Sequence, residues 1–299
     1  MPDTSSSTKA GFVAVVGRPN AGKSTMLNWL VGEKLAMVSK KAQATRKRMN
    51  IIVMHENAQI IFVDTPGIHE KERLLNKFML QEAVKAIGDC DLVLFLAPAK
   101  DKTIHYEKFL ELNTKNRPHI LVLTKIDEVS QAALLKKIAE YQTFQDRFLA
   151  LVPLSVTKNV GKEQLLDEIV KHLPPSPWLY DPELLTTDNI RDIYKELIRE
   201  SIFDNLSDEI PYETDVVIEK IEESPRLDRV QATIICEKKS QKMIIVGRGG
   251  STIKRIGRDA RLKMEAFCGK KIYLELFVSV KNGWSKDRKA LEEIGYLFD

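Results

Sequence analysis

From Gly11 to about His172 the apolar residues come in short unbroken runs rather than in alternation. FVAVVG (12–17), QIIFVDTPG (59–67), DLVLFLAP (91–98), HILVLTKID (119–127) and FLALVPLSV (148–156) read as strands buried on both faces, hence as a parallel sheet. KSTMLNWLVG closing on Gly32, NKFMLQEAVKAIGD, and SQAALLKKIAEYQ behind the cap candidate Ser130 carry helical spacing. This alternation predicts an α/β domain over 10–172, its mostly parallel sheet covered by helices. LPPSPWLYDP (173–182) then places four prolines in ten residues. Proline fixes φ and lacks an N–H, so 173–186 reads as a linker. The pattern changes after it. TDNIRDIYKELIRESIFDNL (187–206) is an amphipathic helix with Thr187 or Asp188 as cap. YETDVVIEKIEE and DRVQATIICEK alternate like paired strands joined by Ser224-Pro225-Arg226. SQKMIIVG and STIKRIGRDARLKMEAF are helices around a Gly-rich loop, and KIYLELFVSV is a third strand. The order helix, strand, strand, helix, helix, strand predicts an α+β domain over 187–283. A C-terminal helix or tail (284–299) follows, and the Ser/Thr-rich residues 1–9 read as a disordered tail.

With 43% hydrophobic and 29% charged residues in 299, the composition fits a soluble two-domain protein and excludes collagen-like or disordered chains. The longest apolar run, around 91–99, is half of what spans a bilayer and contains Asp91. The N-terminus lacks the basic-then-apolar layout of a secretory signal. Cys90, Cys236 and Cys268 show no C-x-x-C spacing and fit reduced thiols in a cytoplasmic protein. The net charge of +4 hides an asymmetry. Residues 238–289 hold 15 Lys and Arg against 4 Asp and Glu, a local +11, which leaves the rest at −7. A polyanion partner or a plain solvated face would both account for it.

Gly17-Arg18-Pro19-Asn20-Ala21-Gly22-Lys23-Ser24, followed by Thr25, fits G-x-x-x-x-G-K-[ST] between a buried strand and a helix. Its backbone N–H groups can converge on phosphate oxygens. Lys23 supplies charge near the β/γ phosphates, and Ser24 a hydroxyl for Mg²⁺. Asp64-Thr65-Pro66-Gly67 ends the next strand, where Asp64 suits a Mg²⁺-associated role and Gly67 an N–H toward a γ-phosphate. Thr124-Lys125-Ile126-Asp127 ends another strand. Asp127 can accept both N1–H and N2–H₂ of guanine while the Lys125 stem covers the ring; adenine lacks that donor pair. At Ser155-Val156 a backbone N–H could meet guanine O6, unless the strand simply ends there.

These motifs, in this order, resemble the Ras-like G domain of the translation-factor-related GTPases, and GRPNAGKST with KKAQATRKR is similar to the Era branch. The resemblance implies GTP and GDP as ligands, Mg²⁺ held with Ser24, Thr45 and Asp64, and Lys23, Thr45 and Gly67 acting on the γ-phosphate. It makes Thr45 the switch threonine, and it makes potassium at Asn20 a candidate activator, with bracing of the loop as the alternative role. Three departures stand out. Thr124 replaces the usual Asn of N-K-x-D and is too short for all of that amide's hydrogen bonds. Val156 replaces Ala. Ile68 follows DTPG where Ras-type proteins carry a water-orienting Gln, so the water-positioning group stays unnamed; His69 beside it is either that group or an exposed loop residue. A slow Ras-like rate of ~4×10⁻⁴ s⁻¹, a barrier of about 22 kcal/mol, is expected.

Gly247-Arg248-Gly249-Gly250 matches G-x-x-G between two helices, with Lys254, Arg255, Arg258 and Arg261 following. With the element order and the charge, it resembles a type-II KH domain, which binds about four nucleotides of single-stranded RNA. Ile244, Ile245, Val246, Ile253 and Ile256 are groove candidates that also serve as core. A Ras-like G domain followed by a KH domain is the arrangement of the Era family. That resemblance implies binding to the 3′ end of 16S rRNA, a role in small ribosomal subunit assembly, a monomeric chain, and a peripheral inner-membrane fraction beside the cytoplasmic one. Two other classes remain: a signalling GTPase whose C-terminal domain binds protein, and an RNA-binding module with a vestigial nucleotide site.

Overall fold

The computed structural model describes residues 8–33, 35–36, 45–67, 74–207 and 209–296. The described residues form two compact units, one carrying most of the chain up to Thr187 and the other most of it from Asp188 onward.

The first unit contains β1 (Lys9–Gly17), α1 (Lys23–Val31), β2 (Met49–His55), β3 (Ala58–Asp64), α2 (Leu74–Asp89) from Met79 onward, β4 (Leu92–Pro98), α3 (Ile104–Leu112), β5 (His119–Thr124), α4 (Gln131–Gln142), β6 (Ala150–Pro153) and α5 (Lys162–His172). Its six described strands run in the order β2-β3-β1-β4-β5-β6. All neighbours are parallel except β2 and β3. Strands β3, β4 and β5 are buried along their whole length, as their unbroken apolar runs require. Ser130 caps α4 through its hydroxyl, which accepts from Ala133 N at 3.3 Å.

Several elements differ from the sequence reading. Strand β2 was not foreseen. It pairs antiparallel with β3 through a two-residue Glu56-Asn57 turn, with Glu56 at φ 50°, and no Asn-Gly signal announces that hairpin. Helices α3 and α5 were also unnamed. Strand β1 begins at Lys9, inside the stretch read as a tail, and Thr8 Oγ1 donates to Ser176 O at 2.9 Å.

The proline-rich segment is not free. Gln59, fully buried, accepts from the N–H groups of Leu179 (2.8 Å) and Tyr180 (2.9 Å) and donates to Tyr180 O (2.8 Å). Ile52 N donates to Leu185 O at 2.8 Å, and Thr186 bridges to Ile51. Strand β2 is the sheet's outermost strand, so this segment occupies its outer edge.

The second unit contains α6 (Ile190–Asn205), β7 (Thr214–Glu222), β8 (Leu227–Cys236), α7 (Lys239–Val246), α8 (Ser251–Cys268), β9 (Lys271–Val280) and α9 (Arg288–Ile294). The cap of α6 is Asn189, not Thr187 or Asp188; its Oδ1 accepts from Asp192 N at 2.9 Å. Thr187 instead accepts from Asn50. Strand β8 lies between an antiparallel β7 and a parallel β9, and the α7–α8 pair makes the crossover a parallel pair needs. Tyr194, Ile198, Ile202, Val230, Ile234, Ile245, Ile256 and Met264 form the core. Residues 284–296, set apart on sequence, pack onto this body. Trp284 is fully buried and its indole donates to Glu213 O at 3.2 Å. Lys195 Nζ lies 3.3 Å from Asp215 Oδ1 and donates to Ile294 O, and the Tyr296 hydroxyl bonds the same carboxylate.

Candidate nucleotide site and nucleic-acid interface

Strand β1 delivers the loop 17–22 onto the first turn of α1, with Gly22 at φ 99° and Asn20 at φ 63°. Lys23 is 7% exposed and folds back on the loop, 3.3 Å from the carbonyls of both Gly17 and Arg18. Burial pushes its ammonium down to about 8, against the opposing pull of Asp64. Arg18 is held by the Asp101 carboxylate, at 2.6 Å from Nη2 to Oδ1 and through a second bond from Nε. Asn20 and Thr25 are exposed.

Ser24, Thr45 and Asp64 come together although they lie on three segments. Ser24 Oγ donates to Asp64 Oδ2 at 2.9 Å, Thr45 Oγ1 lies 3.2 Å from Ser24 Oγ, and Thr45 Oγ1 is 3.4 Å from Asp64 Oδ2. Three hard oxygen donors converging beside Lys23 are the donor set that Mg²⁺ takes. Thr65 is buried and its hydroxyl donates to Val15 O at 2.7 Å, fixing Asp64-Thr65-Pro66-Gly67 against β1. Gly67 lies directly on the phosphate loop: a Cβ there would sit 2.8 Å from Pro19 N. Ile68 and His69 lie outside the described residues, as do 40–44 of the KKAQATRKR stretch.

At the end of β5, Thr124 is 3% exposed and its hydroxyl donates to Ala21 O of the phosphate loop at 2.9 Å. Lys125 takes the left-handed conformation, φ 57°. Asp127 accepts from Ser155 Oγ at 2.5 Å and from Thr157 Oγ1 at 2.8 Å, and these two hydroxyls hold its carboxyl below the ordinary range. Ser155 N donates to Val160 O at 3.1 Å, and the neighbouring Val156 is half-buried, its carbonyl accepting from Asn159 N at 3.2 Å. Sequence reasoning missed Thr157 and Asp101. Thr157 stands two residues beyond Ser155, which was the only available hint; Asp101 had none.

In the second unit, Gly247 ends α7 at φ 72°, and a Cβ there would meet Thr252 Oγ1 at 2.3 Å. This packing turns the chain directly into α8. Arg248, Lys254, Arg258 and Arg261 are exposed. The last three recur at helical spacing on one face of α8. Arg255 points elsewhere: its Nε donates to Asn205 Oδ1 at 2.6 Å and its Nη2 to Asn205 O, joining α8 to α6. Of the groove candidates, Ile245 and Ile256 are wholly buried core, Val246 and Ile253 are half-buried, and Ile244 is exposed.

Residues 12–125 match the family model of 50S ribosome-binding GTPases, and residues 209–285 match that of KH domains. A phosphate loop with a guanine motif on a Ras-like sheet, followed by an RNA-binding KH domain, defines an RNA-binding GTPase. Among its relatives, GTPase Era of Helicobacter pylori is 52% identical over 295 residues, covering 97% of each chain. GTPase Era of Campylobacter concisus is 50% identical over 289 residues, 96% of this chain and 100% of the relative. Two solved structures superpose with TM-scores of 0.93 at 32% identity, each covering 97% of this chain and 100% of its own. One is a variant of Aquifex aeolicus Era bound to GDP.AlF4⁻; the other is Era in complex with MgGDPNP and nucleotides 1506–1542 of 16S ribosomal RNA. The chain belongs to the Era family of GTPases.

Proposed function

We propose that this GTPase cycles between GTP and GDP while its KH domain engages the 3′ end of 16S rRNA during assembly of the small ribosomal subunit. The observation that carries the nucleotide half is the meeting of Ser24, Thr45 and Asp64 beside the buried Lys23. In this reading the N–H groups of residues 17–25 other than Pro19, with the Lys23 ammonium, hold the α, β and γ phosphates. Asp127 reads N1–H and N2–H₂, and the N–H of Val156 meets O6. Thr45 and the Gly67 N–H close on the γ-phosphate, so that its presence or loss moves the segments that carry them. Ser24, Thr45 and Asp64 would hold Mg²⁺. When bound, Mg²⁺ neutralises charge developing on the phosphates.

The RNA half rests on the exposed Arg248, Lys254 and Arg258 around a tight G-x-x-G turn and on the rRNA bound by the related Era. Basal turnover is slow, and Asn20 is the position at which potassium would raise it. We take the chain as a monomer acting in the cytoplasm. Among the described residues no helix is long and apolar enough to cross a membrane, and a peripheral membrane fraction rests on the family resemblance and the basic surface of α8.

The test is a titration of the full chain with a 16S 3′-end oligonucleotide in GTP-analogue and GDP states, with phosphate release followed in parallel. Phosphate release with tight, salt-sensitive RNA binding supports the proposal. No turnover, or RNA binding no tighter than to a scrambled strand, sinks it.

A further inference from the structure

Guanine presents two faces to a protein. The far edge carries the N1–H and N2–H₂ donors and O6. The five-membered ring carries the acceptor N7 and, at N9, the ribose that leads to the phosphates. In this site Asp127 marks the far edge and the loop 17–24 marks the phosphates. Thr124 stands between them, three residues before Asp127 and in contact with Ala21 of the loop. Leu154 bonds both Leu123 (N to O, 2.8 Å) and Ile126 (O to N, 3.5 Å) beside it, so with the Val156 N–H read at O6, Thr124 is the side chain nearest the O6–N7 edge.

A threonine hydroxyl has one proton, whereas an asparagine amide has two. That proton is already placed, donated to Ala21 O at 2.9 Å from a position only 3% exposed. The residue has no latitude to move, because its own carbonyl accepts from Ala99 N at 2.8 Å and its strand pairs with β4. Turning the hydroxyl to N7 would strand the Ala21 carbonyl inside the loop, exchanging one bond for another without gain. An asparagine here would brace the loop with one N–H and keep a second for the base.

We propose that the base site of this chain recognises guanine through N1, N2 and O6 and does not read N7, so that it accepts guanine nucleotides in which the N7 acceptor is missing. This rests on the reading of 124–127 as the guanine site. Thr124 is then a residue that fixes the loop and, by its single proton, widens the range of purines accepted.

The experiment compares GTP with 7-deaza-GTP, in which a C–H replaces N7, by competition against a fluorescent guanine nucleotide on the full chain. The parent should bind the two within about twofold. Thr124→Asn should open a gap of about three- to tenfold in favour of GTP, the worth of one neutral hydrogen bond. Thr124→Val, which breaks the bond to Ala21, should weaken both nucleotides together and leave their ratio near one. The ratio is unmoved by general damage to the loop, so it reports N7 alone. A parent that loses tenfold on 7-deaza-GTP overturns the proposal, as does a Thr124→Asn variant without a gap. ATP is run beside them. If ATP competes as well as GTP, the guanine reading itself fails, an outcome distinct from either of those.

Discussion

The loop at 17–24 buries its cation, and the loop at 247–250 displays its own. Lys23 is 7% exposed, hydrogen-bonded to loop carbonyls and lowered to about 8 by desolvation. Arg248 stands in solvent at the tip of a turn, with the cations of α8 behind it. Both regions carry glycines at positive φ, which in the proposed function let backbone come close to an anion. In the function proposed above the first is a socket, in which an ammonium is held at a cost in solvation that Asp64 opposes and a bound phosphate would relieve further. In the same reading the second is a charged ledge, where attraction to RNA would be long-ranged, salt-dependent and tolerant of sequence.

The contrast can be broken most forcefully at the ledge. Changing Arg248→Asp together with Gly249→Asp should lower affinity for the 16S 3′ end at least ~100-fold at low salt and make the salt dependence shallower. Gly249 has φ 60° with nothing within 4 Å of an added Cβ, and aspartate tolerates that region better than most residues. A circular dichroism melt should accordingly show an intact fold. A folded double variant that binds RNA like the parent would reduce the loop to a plain turn.

At the socket, Lys23→Ala removes a charge-assisted contact of ~1.5–3 kcal/mol, or about ten- to a hundredfold in GTP affinity. RNA binding should be retained. Unchanged nucleotide affinity by calorimetry would remove Lys23 from the site.

The socket's selectivity is tested by Asp127→Asn. GTP affinity should fall about tenfold, while xanthosine triphosphate gains, because an amide can donate to the carbonyl that xanthine carries in place of the 2-amino group. Loss without that gain would assign Asp127 another task.

The smallest effect concerns protons. With Lys23 at about 8 in the free protein, bound phosphates raise its pKa, so binding takes up a proton. Affinity is full below about pH 8 and declines above it, by at most tenfold per pH unit. Calorimetry at pH 8 in two buffers of different ionisation enthalpy should register about half a proton taken up. No uptake anywhere between pH 7 and 9 would mean that Lys23 is not held as a desolvated cation.

Sequence made the two regions legible to different depths. Phosphate and guanine motifs are short and contiguous, and their strands and helix can be read from apolar runs, so the residues around Lys23 and Asp127 could be named in advance. What escaped is what depends on distant pairing. Thr157 reaches Asp127 only because β5 and β6 lie side by side, and Asp101 meets Arg18 only where the loop after β4 passes the phosphate loop. Strand β2 escaped because a Glu-Asn turn carries no hairpin signature. On the ledge, charge could be counted but not oriented. Arg255 looked equivalent to its neighbours until α6 claimed it, and of the groove candidates also expected to serve as core, Ile245 and Ile256 are wholly core.

The docked 173–187 segment changes where this chain can usefully be cut. Composition recommends His172 as the end of a G-domain fragment and the prolines after it as a protease target. Truncation there would strip three partners from the fully buried Gln59 amide, each costing ~1–3 kcal/mol if left unmet. It would also bare the outer edge of β2, an open row of N–H and C=O groups on which a second chain could nucleate a fibre. A fragment carried through Thr187 keeps its own selvedge, and in the intact chain the same stretch should resist a protease that its composition alone would invite.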